Sequence, residues 1–226
     1  MLRHSIALIP FALSGCAALE QAERAAQLEE SVALAEDFQQ AFQAVSDDTS
    51  DGGDGSGDTT IPEGVELVSE EELNTRGSVS YAGLAGLVVP DGNENVIITA
   101  ETDVIADFAD NSVEVDFYSW IGSRTDENYS PIGLTGESQN ANGDIVFANG
   151  AFVADGGAAT FEGDVAGELD YNGDTYGVDG QMEGAIGTQD GGTENIAALA
   201  NDETLVTING DQVEGADFGF QAEIVE

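Results

Sequence analysis

The chain has no lysine, and its four cations are Arg3, Arg24, Arg76 and Arg124. It has one histidine, His4, one cysteine, Cys16, and one tryptophan, Trp120. Each scarcity excludes some chemistry. Without lysine there is no Schiff base and no phosphate-cradling P-loop. With the lone imidazole and the lone thiol both near the start, the body of the chain has no near-neutral general base and no thiolate nucleophile. A single cysteine also rules out an internal disulfide. Against the four arginines stand 45 Asp and Glu residues, for a formal net charge of −41. A polyanion of this kind repels phosphate backbones and anionic membrane surfaces, so no nucleic-acid partner is expected. Carboxylate-pair hydrolysis and oxygen-ligated metal chemistry remain, but so many acids produce neighbouring carboxylates by chance. The chain is read as a non-enzyme without a catalytic or organic cofactor.

What is present begins with the leader. Ile6–Leu13 is an apolar run of eight residues behind Arg3, the length of a secretory h-region and too short to span a bilayer. It ends in "LSGC", Leu13–Ser14–Gly15–Cys16, which resembles the lipobox of bacterial lipoprotein precursors. That resemblance implies cleavage before Cys16, a diacylglycerol thioether on its sulfur, and acylation of the new amino terminus. Several acyl chains give stable anchoring where one is marginal. Ala17 stands where an inner-membrane retention signal would show Asp, so the resemblance implies the outer membrane. Residues 1–15 are thus read as a cleaved signal peptide.

Residues 16–45 contain no glycine or proline downstream of the cysteine and are rich in Ala, Glu, Gln and Leu, all good helix formers. Ala25, Leu28, Val32, Ala35, Phe38, Phe42 and Val45 recur at steps of three and four, one stripe of an amphipathic helix. Such a helix reaches roughly 40 Å and serves as a lipid-anchored stalk. Residues 46–64, "SDDTSDGGDGSGDTTIPEG", lack the apolar content to fold and read as a flexible acidic linker. Asp47, Thr49, Asp51, Gly52 and Asp58 can be aligned with a calcium loop, but no helix pattern follows Asp58.

From residue 65 onward the character changes. A capping-box spacing at Ser69 and Glu72 predicts a helical turn. Beyond it lie 23 of the 29 glycines, with turn signals at 90–95, 109–112, 140–144, 154–157, 171–174, 189–192 and 208–212. Between them run segments rich in Val, Ile, Thr, Phe and Tyr, an antiparallel all-β pattern. In "SVEVDF", Val113, Val115 and Phe117 share one face opposite Glu114 and Asp116. Glycines 177, 180, 184 and 187 in one strand suit the tight coiling of a small closed barrel. The fold class expected is therefore all-β: an antiparallel eight-stranded soluble β-barrel over 65–226, preceded by the amphipathic helix and the acidic linker.

Tyr81 and Gly83, then Asp107, Phe108 and Val113, then late Gly-x-x-x-Gly strands with "ENIAAL" at 194–199 resemble the C-terminal barrel of transferrin-binding-protein-B-like surface lipoproteins. Here the last segment departs from the family's glycine pair. The resemblance implies an eight-stranded barrel displayed on lipid at the outer membrane, and no binding residue carries over from it; the polyanionic surface would suit an extracellular cationic protein or a metal complex, and the chain is read as a monomer. Trp120 and Tyr118, ahead of a loop read as 123–133, are the candidate ligand-binding residues. Two other readings stay open. One is a structural or protective envelope protein with no ligand. The other is a Ca2+-dependent module built on the acidic turns at Asp110, Asp155, Asp174 and Asp190, residues that also serve as plain turn formers.

Overall fold

The computed structural model describes residues 64–73, 75–126, 139–153, 158–189, 191–201 and 203–225. The signal peptide, the Leu13–Cys16 lipobox, the stalk and all but the end of the linker lie outside the described residues, as do Asp155 and Asp190. Described are twelve strands and one short helix: β1 (Val65–Leu67), α1 (Glu70–Leu73), β2 (Ser78–Asp91), β3 (Glu94–Asp107), β4 (Ser112–Asp126), β5 (Gln139–Asn140), β6 (Asn142–Val153), β7 (Thr160–Tyr171), β8 (Asp174–Gln189), β9 (Glu194–Ala200), β10 (Leu205–Ile208), β11 (Asp211–Gln212) and β12 (Asp217–Ile224). The helical turn is where the capping box puts it, with the Glu72 N–H donating to Ser69 Oγ at 3.2 Å.

The strands close on themselves. Antiparallel neighbours run β8-β7-β6-β4-β3-β2-β12-β9, and β9 returns to β8. This is an eight-stranded antiparallel barrel, as the glycine content and turn spacing predict. Two of its walls are interrupted strands. β9 and β10 both pair with β8, at Met182–Thr188 and Tyr176–Asp179. They act as one strand broken where Thr204 fills the space left by Gly180. The Thr204 hydroxyl accepts from the Gln181 N–H at 3.1 Å and donates to the Gln181 carbonyl at 2.8 Å. β11 and β12 pair with them from the other side. From β2 onward the barrel is thus a plain meander, while β1 pairs antiparallel with the end of β8 at Val65–Gln189.

Local chemistry sets the turns. Asn172–Gly173 and Asn209–Gly210 have positive φ at both positions (53° and 92°, 52° and 88°), the tight hairpin geometry that Asn-Gly favours. The 140–144 turn expected from "NANGD" is instead the junction at which β5 passes into β6 across Ala141. The loop expected from 123 is also corrected, because β4 continues to Asp126 and pairs Arg124 with Val96.

Alternation sends one face of each strand inward. Phe117, Trp120, Phe147, Phe161, Phe218 and Phe220 fill the barrel, with ring centroids 5.6 Å apart for Phe117–Phe218 and 6.3 Å for Phe161–Phe220. The interior is a packed core rather than an open ligand chamber. Outward positions such as Asp103, Glu114, Asp116, Asp144, Glu162, Asp164, Glu168 and Asp179 are exposed carboxylates. Three buried polar atoms lack a partner among the described residues, Thr102 Oγ1, Thr125 Oγ1 and Trp120 Nε1, and Thr102 is 1 % exposed. Burying a hydroxyl unpaired costs about 1–3 kcal/mol. Thr102→Val, nearly the same shape, is expected to raise stability by about 1 kcal/mol, read as a higher thermal midpoint. An unchanged or lower midpoint contradicts that account.

Candidate ligand cleft

β4 carries the site because its wall departs from regular pairing there. Its register against β3 shifts between Thr99 and Glu101, and Ser119 takes φ 59°. The extra residue is a β-bulge, and a bulge re-aims the side chains on either side of it. Phe117 and Trp120 consequently both turn inward, each 6 % exposed, while Tyr118 stays outside at 41 %.

On its other edge β4 meets β6 in a single ladder pair, Val113–Gly150. Beside it Asn149 has φ 56°, and the β6–β7 register shifts between Ala148 and Ala151. At the far end the Ala141 N–H donates to the Trp120 carbonyl at 3.0 Å, and Asn140 of β5 pairs with Ile121. Between those two ends, no ladder pair joins 114–119 to 142–149 among the described residues. The wall opens there into a cleft of about 650 Å³ lined by Glu101, Phe117, Tyr118, Trp120, Asn142 and Asp144. Gly143, with φ 120°, also lines it, and a Cβ at that position would overlap the Glu168 carbonyl oxygen.

Carboxylates gather around the Tyr118 hydroxyl. The Tyr118 phenol is raised above its ordinary pKa, by desolvation and then by Asp103, with which it shares a hydrogen bond, and by Glu101 and Asp116. Asp103 and Asp116 are themselves direct cross-strand partners, a like-charge pairing that destabilises a sheet. The Trp120 indole is at the same place. Its Nε1–H, a donor with no acceptor capacity, is buried without a partner. A buried orphan donor in a native fold calls for an explanation, and a missing ligand is one.

Both arginines among the described residues are engaged elsewhere. Arg124 pairs with Asp91 at 3.0 Å and with Glu94 at 3.2 Å, tying the β2–β3 hairpin to the end of β4. Arg76 bridges Glu72 and Glu194, each at 2.6 Å, and the buried Tyr81 hydroxyl donates to the other Glu194 oxygen at 2.9 Å. These contacts close the two ends of the barrel.

The structure thus brings Trp120 and Tyr118 to one cleft, on opposite faces of β4. Sequence reasoning missed Glu101, Asn142 and Asp144, which come from neighbouring strands. Among the described residues, no group of three or more His, Cys, Asp or Glu that could hold a metal occurs. Asp174 accepts a hydrogen bond from Asn209 at 2.8 Å, and Asp110 lies in the Asp107 turn, its N–H donating to Asp107 Oδ1. A second cleft of about 300 Å³ lies between Thr204 and Asp217 and has neither an aromatic ring nor an orphan donor. No protein-family model, no curated protein and no solved structure matches this chain.

Proposed function

We propose that this protein is a lipoprotein held to the outer membrane by acyl chains on Cys16, with its barrel serving as a soluble ligand-binding module at the β4–β6 cleft. The observation that carries the binding half is the buried, unpartnered Trp120 Nε1 at a break in an otherwise laddered wall. A filled interior directs binding to the wall. Carboxylates on outward strand positions suit water and not acyl chains, which supports a barrel tethered to the membrane rather than inserted in it. The leader and "LSGC" support the anchor, and the closed eight-stranded barrel agrees with the resemblance to transferrin-binding-protein-B-like lipoproteins. Binding rather than catalysis fits a sequence with no lysine, histidine or cysteine from residue 64 onward.

The two halves have separate tests. Cells expressing the full chain with an alkyne palmitate analogue should yield a labelled protein in the outer-membrane fraction, and Cys16→Ser should abolish both label and sedimentation. Labelling that survives Cys16→Ser refutes the anchor. For binding, Trp120 is the only tryptophan, so intrinsic emission reads the cleft directly. Pools of short capped peptides of basic, neutral and acidic composition are titrated into the barrel. A saturable emission change with any pool supports a ligand cleft, and none with all three favours a structural envelope role instead.

A further inference from the structure

We infer that the β4–β6 seam responds to ionic strength: in dilute salt, repulsion between carboxylates on its two flanks widens it, and added salt closes it over Trp120. The inference concerns the seam itself and stands whether or not the cleft takes a ligand.

The barrel sets acids directly opposite acids. Asp91 and Glu94 face each other at the β2–β3 hairpin, and Arg124 joins both, at 3.0 and 3.2 Å. Asp103 and Asp116 of β3 and β4, Asp144 and Glu168 of β6 and β7, and Glu162 and Glu183 of β7 and β8 are paired in the same way. Neither arginine among the described residues reaches them, since Arg76 is held by Glu72 and Glu194. Like charges at direct cross-strand positions destabilise a sheet. Within each of these pairs a long ladder opposes the repulsion, because β3–β4, β6–β7 and β7–β8 are hydrogen-bonded along most of their length. The seam has no such restraint. Its two edges meet at Val113–Gly150 and, through β5, at Ile121–Asn140. One flank presents the exposed carboxylates of Asp103 and Asp116, the other those of Asp144, Glu162 and Glu168. Their mutual repulsion therefore acts where the wall is weakest. Range sets the salt dependence. Neighbouring strands lie about 5 Å apart, while the Debye length is about 30 Å at 0.01 M salt and about 3 Å at 1 M. Charges across the seam are thus unscreened in dilute salt and screened at molar salt. Trp120 reports which state holds. In the closed seam it is 6 % exposed, its ring lies 5.9 Å from that of Phe117, and its carbonyl accepts from the Ala141 N–H.

The test is acrylamide quenching of the full chain, since Trp120 is its only tryptophan and acrylamide carries no charge. The quenching constant is expected to be severalfold higher at about 0.01 M than at about 1 M NaCl, with the far-ultraviolet strand signal retained at both. Asp116→Asn combined with Asp144→Asn, one from each flank, should give low quenching at both salts. Glu66→Gln combined with Glu223→Gln removes as much charge at exposed positions on β1 and β12 and should leave the salt response intact. Equal quenching of the native chain at the two salts overturns the inference. Flattening by the Glu66 and Glu223 pair as well places the effect in net charge and overturns the seam. Loss of the strand signal in dilute salt shows unfolding of the whole barrel and overturns it too. Closure by millimolar calcium chloride, but not by sodium chloride of equal ionic strength, would mean a bound ion instead of screening, and the account fails.

Discussion

Gly83→Ala should destabilise the barrel by about 3 kcal/mol or more, although it adds one methyl group in the middle of a strand. Gly83 lies on β2 opposite Ala222 of β12 and Thr102 of β3, at the closure where the last strand meets the first. A Cβ there would overlap the Gln221 carbonyl oxygen and lie 2.5 Å from the Ala222 Cα and 2.8 Å from the Gln221 carbonyl carbon. Those are backbone atoms, which cannot rotate away as a side-chain tip can. To admit the methyl, β2 and β12 must separate, and the β2–β12 ladder of eight residue pairs from Asp217–Val88 to Ile224–Tyr81 is what removes two sheet edges from solvent. Three kcal/mol is a large share of the 5–15 kcal/mol typical of a whole domain. Gly92 provides the control. It has φ 70° in the β2–β3 turn with open space around it, so Gly92→Ala should cost about 1–2 kcal/mol through backbone strain alone. Urea midpoints of the two variants check the ranking, together with amide exchange at Gly219–Glu223. Equal losses would show that Gly83 is replaceable and that closure tolerates a wider spacing.

That closure was partly legible in the residues. Asn172–Gly173 and Asn209–Gly210 announce hairpins because only a few residue types accept positive φ. The alternation of Val113, Val115 and Phe117 announces an inward face. The bulge at Ser119 was not legible. Tyr118 and Trp120 are two residues apart, which in a regular strand puts them on one face, and Phe117 on the other. The register shift against Thr99 and Glu101 reverses this, and no property of serine signals it. A bulge is decided by how two ladders with different partners are reconciled, which is information held by β3 and β6 jointly. For the same reason Glu101, Asn142 and Asp144 could not be named in advance. The break between β9 and β10 was equally hidden, since it depends on Thr204 sitting over Gly180 across the sheet.

Alkaline unfolding should follow the buried tyrosines, because little else titrates in that range. There is no lysine, and the five tyrosines, with Cys16, are the side chains that change charge between about pH 8 and 12. Tyr81 is 1 % exposed, and its pKa is raised well above the ordinary phenol range, chiefly by burial and then by the charge of Glu194, to which its hydroxyl donates. Burial also raises Tyr171 and Tyr176. The sign follows from proton counts. Below pH 10 folded and unfolded chains both keep the phenol proton, and the stabilisation is fully present. Above it the unfolded chain releases the proton while the folded chain retains it, so stability falls as pH rises, by at most about 1.4 kcal/mol per pH unit for each such group. For Tyr81 alone that amounts to up to about 2.7 kcal/mol at pH 12, and Tyr171 and Tyr176 add to the same direction. Denaturant midpoints measured from pH 8.5 to 12 should therefore fall with increasing slope. Tyr81→Phe loses the Glu194 hydrogen bond and starts from a lower stability, yet its slope above pH 10 should be shallower by up to one proton. A slope unchanged in that variant would mean that Tyr81 ionises in the folded barrel as freely as in the open chain, and the Tyr81–Glu194–Arg76 closure would then be open to water.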